Sequence, residues 1–299
     1  MGFLRKITPK RVKTKTLVAL GVIIGLMTTV PVILMYRSTI NRVYMDSRVE
    51  LKQHAIMVKR QLLENSASQL RLLAHTVADI PSVQQYFGER DRTALLGVTM
   101  PIYHDLKNII DLNVFHFHLP PATSFLRLQK PEKYGDDLSG FRHTVVSVNH
   151  THQDAFGIEV GRAGISVRAV VPVTYKGRPV GSVEFGAPVN DALLAKIKEN
   201  VGVDIAVVIP DGDAFRFQAK THNLRIPERR YPFLRKMMQS KELVIERVSK
   251  DGKELITAFQ PIPDYTGKVV GVLAIPKNIT NSLANAKKSA LTIVGAGAL

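Results

Sequence analysis

The stretch FHFHLPPATSFLRLQ at residues 115–129 alternates phenylalanine with histidine, turns at Pro120-Pro121, and sets Arg127 inside a second apolar run. Period-two alternation with aromatic content reads as a strand, the diproline as a turn, and TSFLRL as a second strand returning beside the first. Alternate side chains of a strand share a face, so His116 and His118 point one way while Phe115 and Phe117 point the other. Phenylalanines into a core and histidines toward a cavity is the economical assignment. Arg127, on the neighbouring strand, is placed to reach the same cavity.

Upstream the period changes. From Arg37 to Asp79 there is no proline or glycine, and Ile40, Tyr44, Leu51, Ala55, Val58, Leu62, Leu70, Leu73 and Val77 recur at helical spacing. Polar Ser47, Ser66 and Gln69 weaken a strict heptad, which favours a spanning scaffold helix over a coiled coil. Ile80-Pro81 ends it, and residues 82–108 read as two shorter helices broken near Gly88 and Pro101. Downstream, a helix beginning near Asp136 or Asp137 precedes three strands, AFGIEVG, ISVRAVVPVTY and PVGSVEFG. A similar order then repeats: the helix VNDALLAKIKENVG, strands DIAVVIP and AFRFQA, the helix YPFLRKMMQSK, and strands ELVIERV, KELITAFQPI and GKVVGVLAIP. The closing strands share a form, YKGRPVGSVEFGAPV against DYTGKVVGVLAIPKN, which makes a structural repeat the expectation. Short connections and this order predict an α+β chain with antiparallel sheets carrying helices.

The chain has 299 residues, 45% of them apolar, and contains no cysteine, so disulfide frameworks, thiolate metal sites and cysteine nucleophiles are excluded. Its formal charge of +16 is spread, with one concentration: Arg5, Lys6, Lys10, Arg11, Lys13 and Lys15 precede the uncharged run LVALGVIIGLMTTVPVILMY. At about 1.5 Å per residue the run from 16 to 36 can cross a hydrocarbon core roughly 30 Å thick. It is too long for a signal-peptide core, no small-residue cleavage pattern follows, and Pro31 is a tolerated kink. The basic flank belongs in the cytoplasm, so everything after Arg37 is expected outside it, in the periplasm of a bacterium. SALTIVGAGAL, behind Lys287 and Lys288, reads as the beginning of a second membrane helix, with an output domain expected beyond residue 299.

Two membrane helices bracketing a scaffold helix and two five-stranded modules resemble the double Cache sensor domains of bacterial chemoreceptors and sensor kinases. The resemblance is densest at FHFHLPPATSFLRLQKPEKYGDDLSGFRHTVVSVN and GIEVGRAGISVRAVVPVTYKGRPVGSVEFG, which are similar to the third double Cache subfamily of methyl-accepting chemotaxis proteins. It implies PAS-like modules, a homodimer, and a ligand pocket in the membrane-distal module. On that basis residues 1–15 are a cytoplasmic basic terminus, 16–36 the first membrane helix and 37–80 the scaffold helix. Residues 81–187 form the membrane-distal module, 188–277 the membrane-proximal module, and 278–299 an exit helix with the start of the second membrane helix. The expected protein is an inner-membrane chemoreceptor with its sensor in the periplasm. The alternatives are the sensor of a histidine kinase or diguanylate cyclase, and a membrane-anchored metal-binding protein.

The candidate ligand-binding residues are His116, His118 and Arg127 from the first strand pair, Arg142 and His143 from the covering helix, and Glu159, Arg168 and Glu184, one from each remaining strand. A planar guanidinium fork suits a carboxylate or phosphate, so a small anionic or zwitterionic ligand is expected. The competing reading makes Glu159 and Glu184 the neutralising partners of Arg168 in a buried network. Gly157 and Gly186 would admit a close approach of ligand or backbone. The pairs His116/His118 and His150/His152 raise metal binding, but neither has an evident third ligand in the sequence. Nucleophile elbows, Walker loops, dinucleotide fingerprints and zincin motifs are absent, so no catalytic role or cofactor is expected. GRAG at 161–164 and DGD at 211–213 read as turns, not as phosphate or calcium loops. Nucleic acid is excluded as a partner by compartment and by the lack of a basic, aromatic-interleaved motif.

Overall fold

The apolar run and the scaffold are helical throughout in the computed structural model, which describes residues 9–161, 164–222, 225–250 and 252–296. Helix α1 runs Pro9–Lys59, a π-helical segment Arg60–Asn65 follows, and α2 continues as Ser66–Ala78. The segment within α1 that is apolar enough to cross a membrane has a mean hydropathy of 2.5 and no buried residues. Arg5 and Lys6 of the basic flank, Arg162 and Ala163 of the glycine turn, and residues 297–299 of the second apolar run lie outside the described residues.

The π segment has a reason in the sequence. Buried positions run Leu51, Ala55, Val58, Leu62, then Ala67, Leu70, Ala74 and Val77. The steps are three or four except from Leu62 to Ala67, which is five. An α-helix turns about 100° per residue, so a step of five would rotate the stripe off its face; one wider turn restores the phase. Ser66 marks that turn, its N–H and Oγ–H both donating to the Gln61 carbonyl.

Asp79 caps α2, and α3 (Pro81–Gly88) and α4 (Arg92–Ile110) follow. The expected break at Pro101 does not occur, and α4 runs through it. The carbonyl that a proline ring would crowd belongs to Gly97, which carries no side chain. Leu95, Thr99 and Tyr103 hold the flanking turns to the core.

The first sheet has the order β2-β1-β5-β4-β3, every neighbour antiparallel. Its strands are β1 (Val114–Leu119), β2 (Thr123–Arg127), β3 (Ala155–Gly161), β4 (Gly164–Tyr175) and β5 (Arg178–Pro188). Helix α2 packs on β4 and β5, and α5 (His143–Thr151) covers the opposite face. Registration Phe115↔Phe185 and His116↔Glu184 places phenylalanines on one face and polar groups on the other. Phe87 of α3, Phe115, Phe117 and Phe185 are fully buried and in ring contact, a cluster that stabilises the scaffold side by about 2–3 kcal/mol per ring.

The helix expected from Asp136 or Asp137 begins at His143 instead. Asp136 is engaged by Arg127, and Asp137 accepts from Ser139 N and Oγ in a turn, so neither is free to start a helix.

After α6 (Asp191–Val201), β6 (Ala206–Asp211) and β7 (Ala214–Lys220) come α7 (Tyr231–Met238), β8 (Val244–Lys250), β9 (Lys253–Pro263) and β10 (Val269–Asn278). The second sheet has the order β7-β6-β10-β9-β8. Counted from its own first strand, that is the same order as the first sheet, so the repeat expected from the sequence is present in topology. Leu234 and Met237 of α7 close a core over Val208, Phe215, Phe259 and Val272. Helix α8, Thr280–Ala296, ends the described chain.

By packing, the chain divides into two compact units. One comprises Leu51–Glu246 and Thr257–Lys277; the other comprises the residues up to Glu50, Arg247–Ile256, and those from Asn278 on. Within the first unit, Tyr265 in the β9–β10 turn donates its N–H to the Ile158 carbonyl of β3 at 3.0 Å. Its Cβ lies 3.3 Å from where a side chain on Gly157 would begin. The glycine therefore admits backbone rather than ligand.

Candidate functional site

On the polar face of the first sheet lies a cavity of about 410 Å³. Arg127, Arg142 and Arg168 line it, together with Lys130, Lys133 and His116. Among the described residues the lining holds one carboxylate, Asp136. Glu159 and Glu184 are not part of the wall; they are buried behind it.

That layering comes from strand register. Glu184 on β5 sits between His116 of β1 and Val170 of β4, fully buried. It accepts from His118 Nε2 at 2.9 Å and from the Arg168 guanidinium, and Arg142 Nη1 stands 3.8 Å away. Gly186 leaves the room that the Arg168 guanidinium occupies, with Nη1 3.4 Å from its would-be Cβ. Glu159 on β3 makes ion pairs with Arg168 at 3.2 Å and Arg142 at 3.3 Å. The same carboxylate accepts from Thr144 Oγ1 at 2.9 Å and Thr144 N at 3.4 Å, supplying from another strand the N-terminal cap that α5 lacks locally. Arg127 is held by Asp136 in a two-bond fork at 2.7 and 2.8 Å and donates to the Lys133 carbonyl.

Burial would raise the Glu184 carboxyl, but Arg168, the bond from His118 and Arg142 outweigh it and hold the group well below the ordinary carboxylate range. Burial pushes both imidazoles below 6.5, His116 further because His118 lies against it with ring centroids 3.8 Å apart. Both are therefore neutral near pH 7. His118 Nε2–H donates to Glu184, while His116 Nε2 shares a 2.8 Å bond with Ser124 Oγ.

Of the eight residues expected from the sequence, the structure gathers seven at the cavity or directly behind it: six are joined through Glu159 and Glu184, and Arg127 is held separately by Asp136. His116, Arg127, Arg142 and Arg168 face the cavity; His118, Glu159 and Glu184 back it. His143 stands apart: it is exposed at the first turn of α5 and does not line this cavity. Asp136, Ser166 and Gln218, absent from that expectation, do line the cavity.

The metal alternative gains the third donor that the sequence withheld. One donor atom each from His116, His118 and Glu184 lies within 4.8 Å of the others. Charge argues against a cation there, because Glu184 already carries the Arg168 guanidinium and Arg142 stands beside it. His150 and His152 are exposed at the end of α5.

Comparison with known proteins completes the description. The third double Cache model, described as the double sensory domain of two-component sensor kinase, matches residues 50–283. No curated protein sequence matches. Among solved structures, the domain of a sensory box/GGDEF family protein from Vibrio parahaemolyticus is similar at TM-score 0.50 and 14% identity, over 82% of this chain and 99% of that one. The extracellular domain of a histidine kinase is similar at 0.52 and 15%, over 83% and 95%. The sensory domain of a Campylobacter jejuni chemoreceptor is similar at 0.52 and 13%, over 83% and 99%. Identities this low speak to the fold.

Proposed function

Because the chain belongs to the double Cache family of extracytoplasmic sensory domains, we propose that it is the ligand-sensing part of a bacterial chemoreceptor, taking a small anionic or zwitterionic molecule in its first module, residues 81–187. The second module, residues 188–277, and the exit helix that follows carry the response toward the membrane. One observation carries this reading: three guanidiniums and two lysines face the cavity, while two of the three carboxylates that balance them sit behind its wall. A carboxylate entering from solvent meets oriented, preorganised donors and a field of one sign. The periplasmic placement rests on the apolar segment of α1 that precedes the sensor.

The family description supplies the second reading, in which the same sensor drives a histidine kinase. Titration calorimetry on the full chain in detergent, with a panel of small mono- and dicarboxylates and matched amines, tests the sensing step. Binding of an acid is expected, weakened at least tenfold by Arg142→Ala; selective binding of amines would overturn the reading. In cells, a change of swimming bias on adding the bound acid supports the chemoreceptor. A change in histidine phosphorylation with unaltered swimming supports the kinase.

A further inference from the structure

The cavity wall includes a side chain from the other sheet. Gln218 on β7 lines it beside Gly164, Ser166 and Pro188. Its Nε2 donates to the Val189 carbonyl at 3.1 Å, and since a carbonyl can only accept, the amide's orientation follows. The remaining oxygen, Oε1, is buried over Gly164 and has no donor among the described residues. Any side chain at 164 would collide with that oxygen, so glycine is what lets the amide in.

Gly164, Ser166 and Arg168 alternate along β4 and share its polar face. Among the described residues Ser166 Oγ, too, is buried without a partner. Along one strand the wall therefore passes from an amide oxygen to a hydroxyl to a guanidinium, in steps of about 7 Å. Buried polar atoms in folded proteins are nearly always paired, and an unpaired acceptor costs free energy until a donor arrives. Two such atoms at the same end of one cavity mark where, among the described residues, a donor is missing.

We propose that Gln218 is a specificity-determining residue contributed to the cavity by the second sheet. Its Oε1, with Ser166 Oγ, accepts from an N–H or O–H group of an acid whose carboxylate meets the guanidiniums. The ligand class is thereby narrowed to small amino or hydroxy acids, in preference to acids without such a group. This deepens the anion-sensing reading and rests on it. It also gives the bound molecule a direct hold on the second sheet: β7 is anchored to α6 by the bond from Lys220 N to Asp191 Oδ1 at 2.7 Å, so a ligand that bonds Gln218 pulls on an element already tied to the inter-module helix.

The test uses the full chain in detergent and three matched series: propionate, lactate and alanine; succinate, malate and aspartate; glutarate, 2-hydroxyglutarate and glutamate. In the series that fits, the hydroxy or amino acid is expected to bind roughly tenfold or more tightly than its unsubstituted parent. Gln218→Leu should abolish that preference, so that within the variant the substituted acid and its parent bind alike, and Gln218→Glu, which keeps an acceptor, should retain the preference for the amino acid. Amide exchange in β7 should slow on binding in the unaltered protein and not in Gln218→Leu. Equal affinities within every series that binds, or a preference undiminished in Gln218→Leu, overturn the assignment of Gln218 alone. Failure of all nine compounds overturns the anion reading and this inference with it.

Discussion

Glu184 answers to His118, Arg168 and Arg142 and is fully buried. Removing its charge would leave Arg168 and Arg142 to share Glu159 and weaken the acceptor that His118 uses, so Glu184→Gln is expected to cost about 3–5 kcal/mol in urea unfolding. His143→Ala, at an exposed position, should stay within about 0.5 kcal/mol. The neutral imidazoles make a second prediction. Their folded values lie below 6.5, so as the pH falls the unfolded chain takes up protons first. Stability is fully present above about 6.5 and drains below it, by up to about 1.4 kcal/mol per pH unit for each histidine. Urea midpoints between pH 7.5 and 5 should show this slope, and His116→Gln with His118→Gln should flatten it. Alternation within FHFHL assigns faces, which is why the convergence of the candidates was legible from sequence. It says nothing of depth, so which of them touch the cavity had to come from register. Gln218 was out of reach altogether, because nothing local links β7 to a cavity built on another sheet.

The two largest differences between sequence pattern and secondary structure share a cause: helices here are set by tertiary partners rather than by local signals. Helix α5 starts at His143 because Glu159, from β3, satisfies its first turn, whereas Asp136 and Asp137, the residues that look like caps, are occupied elsewhere. Helix α4 continues through Pro101 because its buried face outweighs one lost hydrogen bond. The strands were easier to read, since period two and glycine punctuation survive burial. The π segment yields a prediction of its own. Deleting exposed Glu64 shortens the five-residue step to four, so an ordinary α-helix would keep the stripe in phase and the melting temperature should hold or rise. Deleting exposed Ser68 instead rotates everything C-terminal to it by about 100° and should unfold the first module, as judged by circular dichroism.

For the whole molecule, a sensor signals only if its ligand prefers one of two arrangements, and in the proposed topology α1 and α8 are the elements able to carry that difference. In the unit that holds both, the start of α8 is bonded to the start of β9: Glu254 N donates to Thr280 Oγ1 at 2.8 Å and Ile279 N to the Glu254 carbonyl at 2.8 Å. Arg247 stacks over Tyr44 of α1 and also pairs with Glu254. If the chain pairs as its resemblance implies, single cysteines placed at positions 40–60 of the full chain are expected to crosslink between two copies at rates that change when the bound acid is added. Rates that stay constant across the whole set would count against transmission along α1. The position of the carboxylates has a further consequence for such a molecule. With the ionic framework of the sheet kept behind the wall, substitutions at Lys130, Lys133 or Ser166 leave the structural ion pairs untouched. A lineage could thus exchange one ligand for another by drift in a handful of front positions, without passing through unfolded intermediates.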